Sequence, residues 1–185
     1  MLTRRQNLLE TIHGGNPDRY VNQYEYVKLL YMNPYMDYLY DKPLVPGAHD
    51  VVDKWGVHWD WPEGLPGEFP LHDDEHLCLK DVTEWRDVIT APKTTFTDEE
   101  WAPYVAEANA IDRNEYFVAG CMMPGVFEQL HHLMNMPETM MNFYEEPEAM
   151  HELIDYITDY EVRYAEQVCK YMKPNALFHH DDWGS

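Results

Sequence analysis

The sequence is poor in basic residues, and this shortage argues against several classes of partner. Lysine and arginine together number 13, against 34 aspartates and glutamates, so the formal net charge is −21. Nucleic acids and anionic membrane surfaces are bound through clusters of positive charge. A highly anionic substrate is disfavoured for the same reason, unless the few arginines meet in one pocket. We therefore predict a small-molecule substrate, no nucleic acid and no membrane.

Cysteines are few, and long apolar runs are absent. Cys78, Cys121 and Cys169 form no Cys-x-x-Cys pair, and an odd number of cysteines predicts no disulfide framework. No apolar segment follows Arg4 and Arg5 as in a signal peptide, and no run approaches the roughly 20 apolar residues that span a bilayer. These features predict a cytoplasmic protein with reduced thiols. Apolar residues make up 45% of the chain, which suits a globular fold.

Three segments carry clear helix signals. Thr3 and Thr97 are each followed three residues later by Gln or Glu, which is the spacing of a capping box, and they predict helices over 3–13 and 97–110. The longest apolar period of helical type covers 147–172, and Pro174 follows it as a stop signal.

Other segments have the character of strands and loops. A short strand is expected over 20–25, before a tyrosine-rich helical stretch that ends near residue 40. Residues 41–80, with repeated Pro and Gly, predict a long irregular excursion, and loops of this length tend to be functional. Residues 115–120 and 176–178 read as buried strands. With the helices between them, they predict a parallel βαβ unit and an α/β fold.

The strongest candidate for chemistry is the terminal cluster, residues 179–183, which directly follows the last predicted strand. In α/β folds functional groups collect where a strand ends. Alternation along the strand would place His180 and Asp182 on one face, where an imidazole and a carboxylate can exchange protons. We assign catalytic roles to His180, Asp182 and Asp181, and substrate binding to Trp183. Metal ligation and capping of a helix by an aspartate remain alternatives.

The second candidate lies at the end of the other predicted strand. Gly120, Cys121, Met122 and Met123 are assigned to substrate binding, because small residues admit a ligand to the backbone and a helix beginning at Pro124 could receive an anion. Packing is the alternative, since a lone cysteine and methionines are common core residues. Tyr24 is also assigned to substrate binding, although tyrosines at this density are also typical of a half-exposed packed surface.

Several segments, taken in order, resemble the uroporphyrinogen decarboxylase superfamily. In this chain, Thr-Arg-Arg-Gln-Asn-Leu-Leu followed by Gly-Gly-Asn-Pro-Asp-Arg resembles the opening of the family's sequences. The segment Asp-Lys-Trp-Gly-Val-His-Trp resembles a later part of them. The matching segments are residues 3–9, 14–19, 53–59, 120–127, 146–148 and 181–184. The family fold is a (β/α)₈ barrel of the TIM type, about twice as long as this chain.

The resemblance implies that residues 1–185 are a single domain, the N-terminal part of such a barrel. Residues 1–110 would hold the N-terminal helices and the excursion, and residues 111–185 the parallel βαβ segment. Because the chain ends inside the terminal cluster, we expect a longer parent protein or a homo-oligomer, since half a barrel leaves open sheet edges.

The superfamily contains two chemistries, decarboxylation of uroporphyrinogen and methyl transfer to or from a corrinoid. The decarboxylase holds its many-carboxylate substrate with an arginine-rich segment. The corresponding residues 18–26 of this chain contain one arginine, Arg19, and an added acid, Glu25. Methyl transfer is therefore the expected function, with a corrinoid protein as partner and zinc as cofactor. The family's zinc ligands, a His-x-Cys and a distant Cys, are not assigned in this chain. The alternatives are porphyrinogen decarboxylation and a non-catalytic half-barrel that serves in assembly.

Overall fold

A computed structural model describes residues 1–182, which form two compact units that interleave along the chain. The first unit comprises Met1–Pro34, Thr95–Met123 and Ala165–His180. The second comprises Tyr35–Thr94, Pro124–Tyr164 and, at the end of the described chain, Asp181 and Asp182. Residue 110, where the sequence suggested a division, lies within the Thr95–Met123 segment of the first unit. Whether both belong to one domain stays a prediction.

The first unit is built on a parallel sheet of three strands. Its strands are β1 (Val27–Leu30), β5 (Phe117–Met122) and β6 (Ala176–His179), in the order β1-β5-β6. Leu30 is paired with Gly120, and Gly120 with Leu177. The parallel βαβ unit predicted from residues 115 to 182 is thus confirmed, and the protein is a mixed α/β structure.

Four helices contribute to the first unit, and their ends follow local capping rules. They are α1 (Arg4–Ile12), α2 (Gln23–Tyr26), α5 (Asp98–Ala110) and the last part of α8 (Pro147–Met172). Capping boxes begin α1 at Thr3 and α5 at Thr97, as the sequence predicts. The prediction of a helix over 147–172 is also confirmed. No helix in residues 1–182 combines the length and apolar character needed to cross a bilayer.

The prediction of a strand over 20–25 is wrong, and the helical stretch predicted after it is present only as the short helix Pro34–Tyr38. Asn22 accepts hydrogen bonds from the backbone N–H groups of Tyr24 and Glu25, and the Glu25 side chain closes a capping box. This cap makes residues 23–26 a helical turn, so the strand begins only at Val27. Local side-chain capping therefore outweighed the β-forming character of the aromatic residues here.

The second unit contains an antiparallel sheet in place of the irregular excursion that was predicted. Its strands are β2 (Ala48–Val52), β3 (His58–Trp61) and β4 (Phe69–Pro70), in that order. The helices are α3 (Pro34–Tyr38), α4 (Trp85–Val88), α6 (Val126–Met134), α7 (Met136–Glu145) and the first part of α8. A single 3₁₀ turn, Val82–Glu84, precedes α4. The sheet was missed because its strands are short and interrupted by Pro and Gly.

A buried aspartate organises the turn between β2 and β3. Asp53 is 7% exposed, and its carboxylate accepts hydrogen bonds from Trp55 N–H at 2.8 Å, Val57 N–H at 2.9 Å and Trp59 Nε1 at 2.9 Å. Burial raises the pKa of Asp53, and these hydrogen bonds to the ionised form oppose that rise. Gly56 occupies the left-handed region with φ 87°, which the turn requires. The segment at 53–59 that carries the family resemblance is therefore a structural turn.

Tyrosines from the tyrosine-rich stretch and from α8 form the core of the second unit. Tyr35 is 1% exposed, its hydroxyl accepts a hydrogen bond from Trp55 Nε1 at 3.2 Å, and its ring centroid lies 4.8 Å from that of Tyr164. Tyr160 packs edge-on against Trp55 with ring centroids 4.9 Å apart. For Tyr35, packing is thus the role that the structure supports.

Gly120 is needed for close packing of α8 on the parallel sheet. A Cβ at this position would lie 2.8 Å from Val168 Cγ1 and 3.5 Å from Leu177 Cδ2. Val168 is fully buried and branched at Cβ, so it has little freedom to move aside.

We predict that Gly120→Ala lowers the free energy of unfolding by about 1–3 kcal/mol, because the added methyl overpacks a buried contact. Urea denaturation of the variant and the wild type measures the change. Gly67→Ala is the matched control, since nothing lies within 4 Å of a Cβ there. Equal losses in both variants, or none at Gly120, would contradict the packing argument.

Candidate functional site

Asp181 caps helix α6 from a distant part of the sequence. Its Oδ2 accepts a hydrogen bond from Phe127 N–H at 3.2 Å and its Oδ1 from Glu128 N–H at 2.8 Å. These are the second and third residues of α6, whose own N-cap residue, Gly125, has no side chain to offer. The carboxylate satisfies two unpaired donors at the positive end of the helix dipole. For Asp181 the capping alternative is therefore the one that the geometry supports.

Asp182 forms an acid–base pair with His131 of the same helix. Asp182 Oδ2 lies 2.8 Å from His131 Nε2, and the two side chains are 31% and 12% exposed. Partial burial reduces the screening of this contact, and the hydrogen bond orients the imidazole. A carboxylate bonded to one ring nitrogen sets the tautomer of a histidine and leaves the other nitrogen for proton transfer. A partly buried histidine–carboxylate pair of this kind is an arrangement that can serve acid–base chemistry.

The residues around His131 come from α6, from β3 and from the segment after β4. The His131 ring lies 4.8 Å from that of His132, and the His132 ring lies 4.8 Å from that of Trp59. His72 Nε2 donates to the His132 carbonyl at 3.1 Å, which requires the proton on Nε2. Burial lowers the pKa of His72. Aromatic rings therefore lie near the acid–base pair, together with His72, whose lowered pKa favours its neutral form.

The sequence-predicted catalytic residues separate into different roles. Strand β6 ends at His179, so the predicted alternation does not extend to Asp182. His180 continues the ladder through its backbone, donating its N–H to the Met122 carbonyl at 2.9 Å in the first unit. Asp182 pairs with His131, a partner that the sequence did not indicate, and its catalytic role stays a prediction. Trp183 lies outside the described residues.

The predicted substrate-binding residues of the first unit are mostly buried. Cys121 and Met122 are 2% and 3% exposed on β5, and burial raises the pKa of the Cys121 thiol to about 11, so it is not a ready nucleophile. Gly120 is covered by Val168, and Met123 follows the strand with partial exposure. Tyr24 is 86% exposed on α2. Substrate binding by these residues stays a prediction, and for Gly120 and Cys121 packing accounts for the residue type.

A second cluster, which sequence reasoning missed, consists of Asp50, His58 and His76. One possible ligand atom from each lies within 4.8 Å of the others. The three residues come from β2, from β3 and from the segment after β4, and their spacing matches no metal motif. The only available signal was that several histidines and aspartates share the excursion.

The zinc site implied by the resemblance does not fit the described residues. His76 and Cys78 have the His-x-Cys spacing, but Cys78 Sγ points to the Trp55 carbonyl at 3.6 Å. Burial raises the pKa of the Cys78 thiol to about 11, whereas zinc binds the thiolate. Cys78, Cys121 and Cys169 are free thiols. We therefore derive no step through zinc held by these cysteines.

Removing the Asp181 cap should destabilise the second unit. We predict that Asp181→Ala lowers the free energy of unfolding by about 1 kcal/mol, because Phe127 N–H and Glu128 N–H lose their acceptor. Asp181→Asn keeps one acceptor oxygen and should lose less. Urea denaturation of both variants measures the difference. An alanine variant as stable as the wild type would show that the cap contributes nothing.

The lowered pKa of His72 predicts a loss of stability in mild acid. Because the folded pKa of His72 lies below the ordinary value of about 6.5, protonation favours the unfolded chain. The contribution of His72 to the free energy of unfolding is therefore complete above about pH 6.5 and is lost as the pH falls from there through the folded pKa. His72→Gln should therefore reduce the loss between about pH 7.5 and about pH 5, measured by urea denaturation. His151→Gln, at a side chain that is 78% exposed, is the control. An unchanged pH dependence in His72→Gln would contradict the assignment.

Comparisons with known proteins found no relative of this chain. Neither a family model, nor a curated protein, nor a solved structure matches the chain. The resemblance to the uroporphyrinogen decarboxylase superfamily therefore rests on the segments quoted above.

Proposed function

We propose that this chain is part of a (β/α)-barrel enzyme that transfers a methyl group to or from a corrinoid carried by a partner protein. The observation that carries the proposal is the hydrogen-bonded pair of His131 and Asp182, which is partly buried with its atoms 2.8 Å apart. In the sequence, Asp182 follows the parallel strand β6 by three residues. Functional groups of α/β enzymes collect at the carboxyl ends of such strands.

The parallel sheet of the first unit supports the barrel part of the proposal. The order β1-β5-β6 places three parallel strands side by side in their sequence order. Along the chain, the antiparallel strands β2, β3 and β4 come between β1 and β5. Barrels of this type place consecutive parallel strands next to each other and tolerate insertions between them. Three adjacent parallel strands in this order are compatible with part of such a barrel.

The acid–base pair suits a reaction in which a methyl group leaves an oxygen atom. Breaking the methyl–oxygen bond leaves negative charge on that oxygen, and a positioned acid that supplies a proton lowers the barrier. Asp182 holds the Nε2 side of the imidazole, so Nδ1 of His131 is the nitrogen that would exchange the proton. The corrinoid, when bound, supplies the centre that accepts or donates the methyl group.

The arginines favour methyl transfer over decarboxylation of a substrate with many carboxylates. Arg19, in the segment where the decarboxylase has its arginines, forms an ion pair with Glu25 at 2.7 Å. Arg113 donates to the Met172 and Lys173 carbonyls at the end of α8. The other four contact acidic, aromatic or carbonyl groups within their own unit: Arg4, Arg5, Arg86 and Arg163. All six thus have protein partners, and the net charge of −21 would repel a polyanion.

Replacement of Asp182 tests the acid–base role. In the full-length protein from its native source, we predict that Asp182→Asn lowers corrinoid-dependent methyl transfer about 10²-fold or more, because the imidazole loses its orienting carboxylate. His131→Gln should have a similar effect. The double variant should lose no more than the stronger single variant, since two residues that act as one unit are not additive. Single-turnover rates of methyl transfer measure these changes.

A matched control and the alternative functions complete this experiment. Asp155→Asn removes a carboxylate from α8 that is 72% exposed and should leave the rate unchanged. Wild-type rates in Asp182→Asn would reject the catalytic pair. Release of CO₂ from uroporphyrinogen without methyl transfer would support the decarboxylase alternative. A protein that self-associates and catalyses neither reaction would support the assembly alternative.

A further inference from the structure

The Asp50–His58–His76 cluster brings together ligand types that transition metals prefer. The ligand atoms of the three residues lie within 4.8 Å of one another, and His58 Nδ1 lies 2.5 Å from Asp50 Oδ1. The rings of His58 and His76 meet edge to face, with centroids 5.3 Å apart. Two imidazoles and one carboxylate suit zinc, cobalt and nickel, whereas calcium and magnesium prefer oxygen ligands alone.

The backbone at Asp50 is specialised in a way that positions its side chain. Asp50 has φ 51°, in the left-handed region that residues other than glycine seldom adopt, and the register of β2 on β3 shifts between Ala48 and Val51. A bulge of this kind redirects a side chain relative to the regular strand. Asp50 N–H donates to Asp60 Oδ1 at 2.8 Å, which holds this conformation.

A carboxylate behind one of the histidines completes the pattern of a metal centre. His76 Nδ1 lies 2.8 Å from both oxygens of Asp73. Asp73 Oδ1 is itself held by the N–H group of Glu75 at 3.0 Å. Metal-binding histidines usually donate their second ring nitrogen to a carboxylate in this way. With Nδ1 occupied, Nε2 is the nitrogen of His76 that would face the metal.

The cluster is open to ions from solution. The side chains of the cluster are between 25% and 42% exposed, so an ion can reach them.

We propose that Asp50, His58 and His76 bind one divalent transition-metal ion, oriented by Asp73, with a coordination position left for water. Bonds of about 2.0–2.2 Å in a tetrahedral site place ligand atoms roughly 3.3–3.5 Å apart. A gap of 4.8 Å therefore has to close by roughly 1.3–1.5 Å, and the His58–Asp50 contact of 2.5 Å has to open by roughly 0.8–1.0 Å. Rotation of partly exposed side chains supplies both movements. The site shares no residue with the acid–base pair and does not depend on the function proposed above.

Titration of the metal-free protein with Co²⁺ and Zn²⁺ tests the proposal. We expect one equivalent of Co²⁺ to give the ligand-field absorption of a low-coordinate nitrogen and oxygen site, and Zn²⁺ to displace it. Asp50→Asn, His58→Gln and His76→Gln should each weaken Zn²⁺ binding more than tenfold, and Asp73→Asn about tenfold. Asparagine tolerates the left-handed backbone at position 50, so that variant should fold. Calorimetry measures the affinities, and circular dichroism of each variant verifies the fold.

His151→Gln is the matched control, because His151 lies 4.0 Å from Asp155 in another histidine–aspartate pair, on α8. Its affinity for Zn²⁺ should equal that of the wild type. If the ligand variants bind Zn²⁺ as tightly as the wild type, or if His151→Gln weakens binding equally, the ion is held by scattered surface histidines and the proposal is overturned. Absence of a one-to-one Co²⁺ spectrum in the wild type would also overturn it.

Discussion

The second unit depends on the buried carboxylate of Asp53. A group that is 7% exposed has lost most of its water, and its three hydrogen bonds, to two backbone N–H groups and to Trp59, replace that hydration. These bonds close the turn between β2 and β3 and fix how the two strands pair. Asp50 and His58 lie on either side of the turn, so the bonds of Asp53 help to bring these two members of the Asp50–His58–His76 cluster together. A loss of this one group would leave several buried donors without an acceptor.

Two consecutive aspartates at the end of the described chain have separate tasks. Asp181 satisfies the first turn of α6, and Asp182 reaches His131 further along the same helix. The capping explanation of the terminal cluster therefore applies to Asp181, whereas the proposed catalytic role belongs to Asp182 alone. Because the cap anchors the backbone beside Asp182, the position of the candidate catalytic carboxylate is set by a structural bond.

The shortage of basic residues shapes the protein beyond its overall charge. The chain has six arginines and 34 acidic residues, and its guanidinium groups contact other parts of the protein. Arg113 donates hydrogen bonds to carbonyls at the end of α8, and Arg5 donates to carbonyls of the loop before β5. A surface of this charge favours neutral or cationic ligands. Both the metal-ion inference and the preference for a methyl-transfer substrate over a polyanion agree with that electrostatic character.

The sequence by itself determined the elements whose signals are local. Capping boxes at Thr3 and Thr97 and the apolar period of α8 predict those helices, because caps and helical hydrogen bonds join residues within four positions. The parallel pairing of β5 and β6 followed from the helices that connect them.

Only the tertiary structure decided the rest. The pairing of His131 with Asp182 spans 51 positions, and the meeting of Asp50, His58 and His76 depends on a hairpin with weak strand signals. Contacts of this kind arise from the path of the folded backbone, which no local period or spacing encodes.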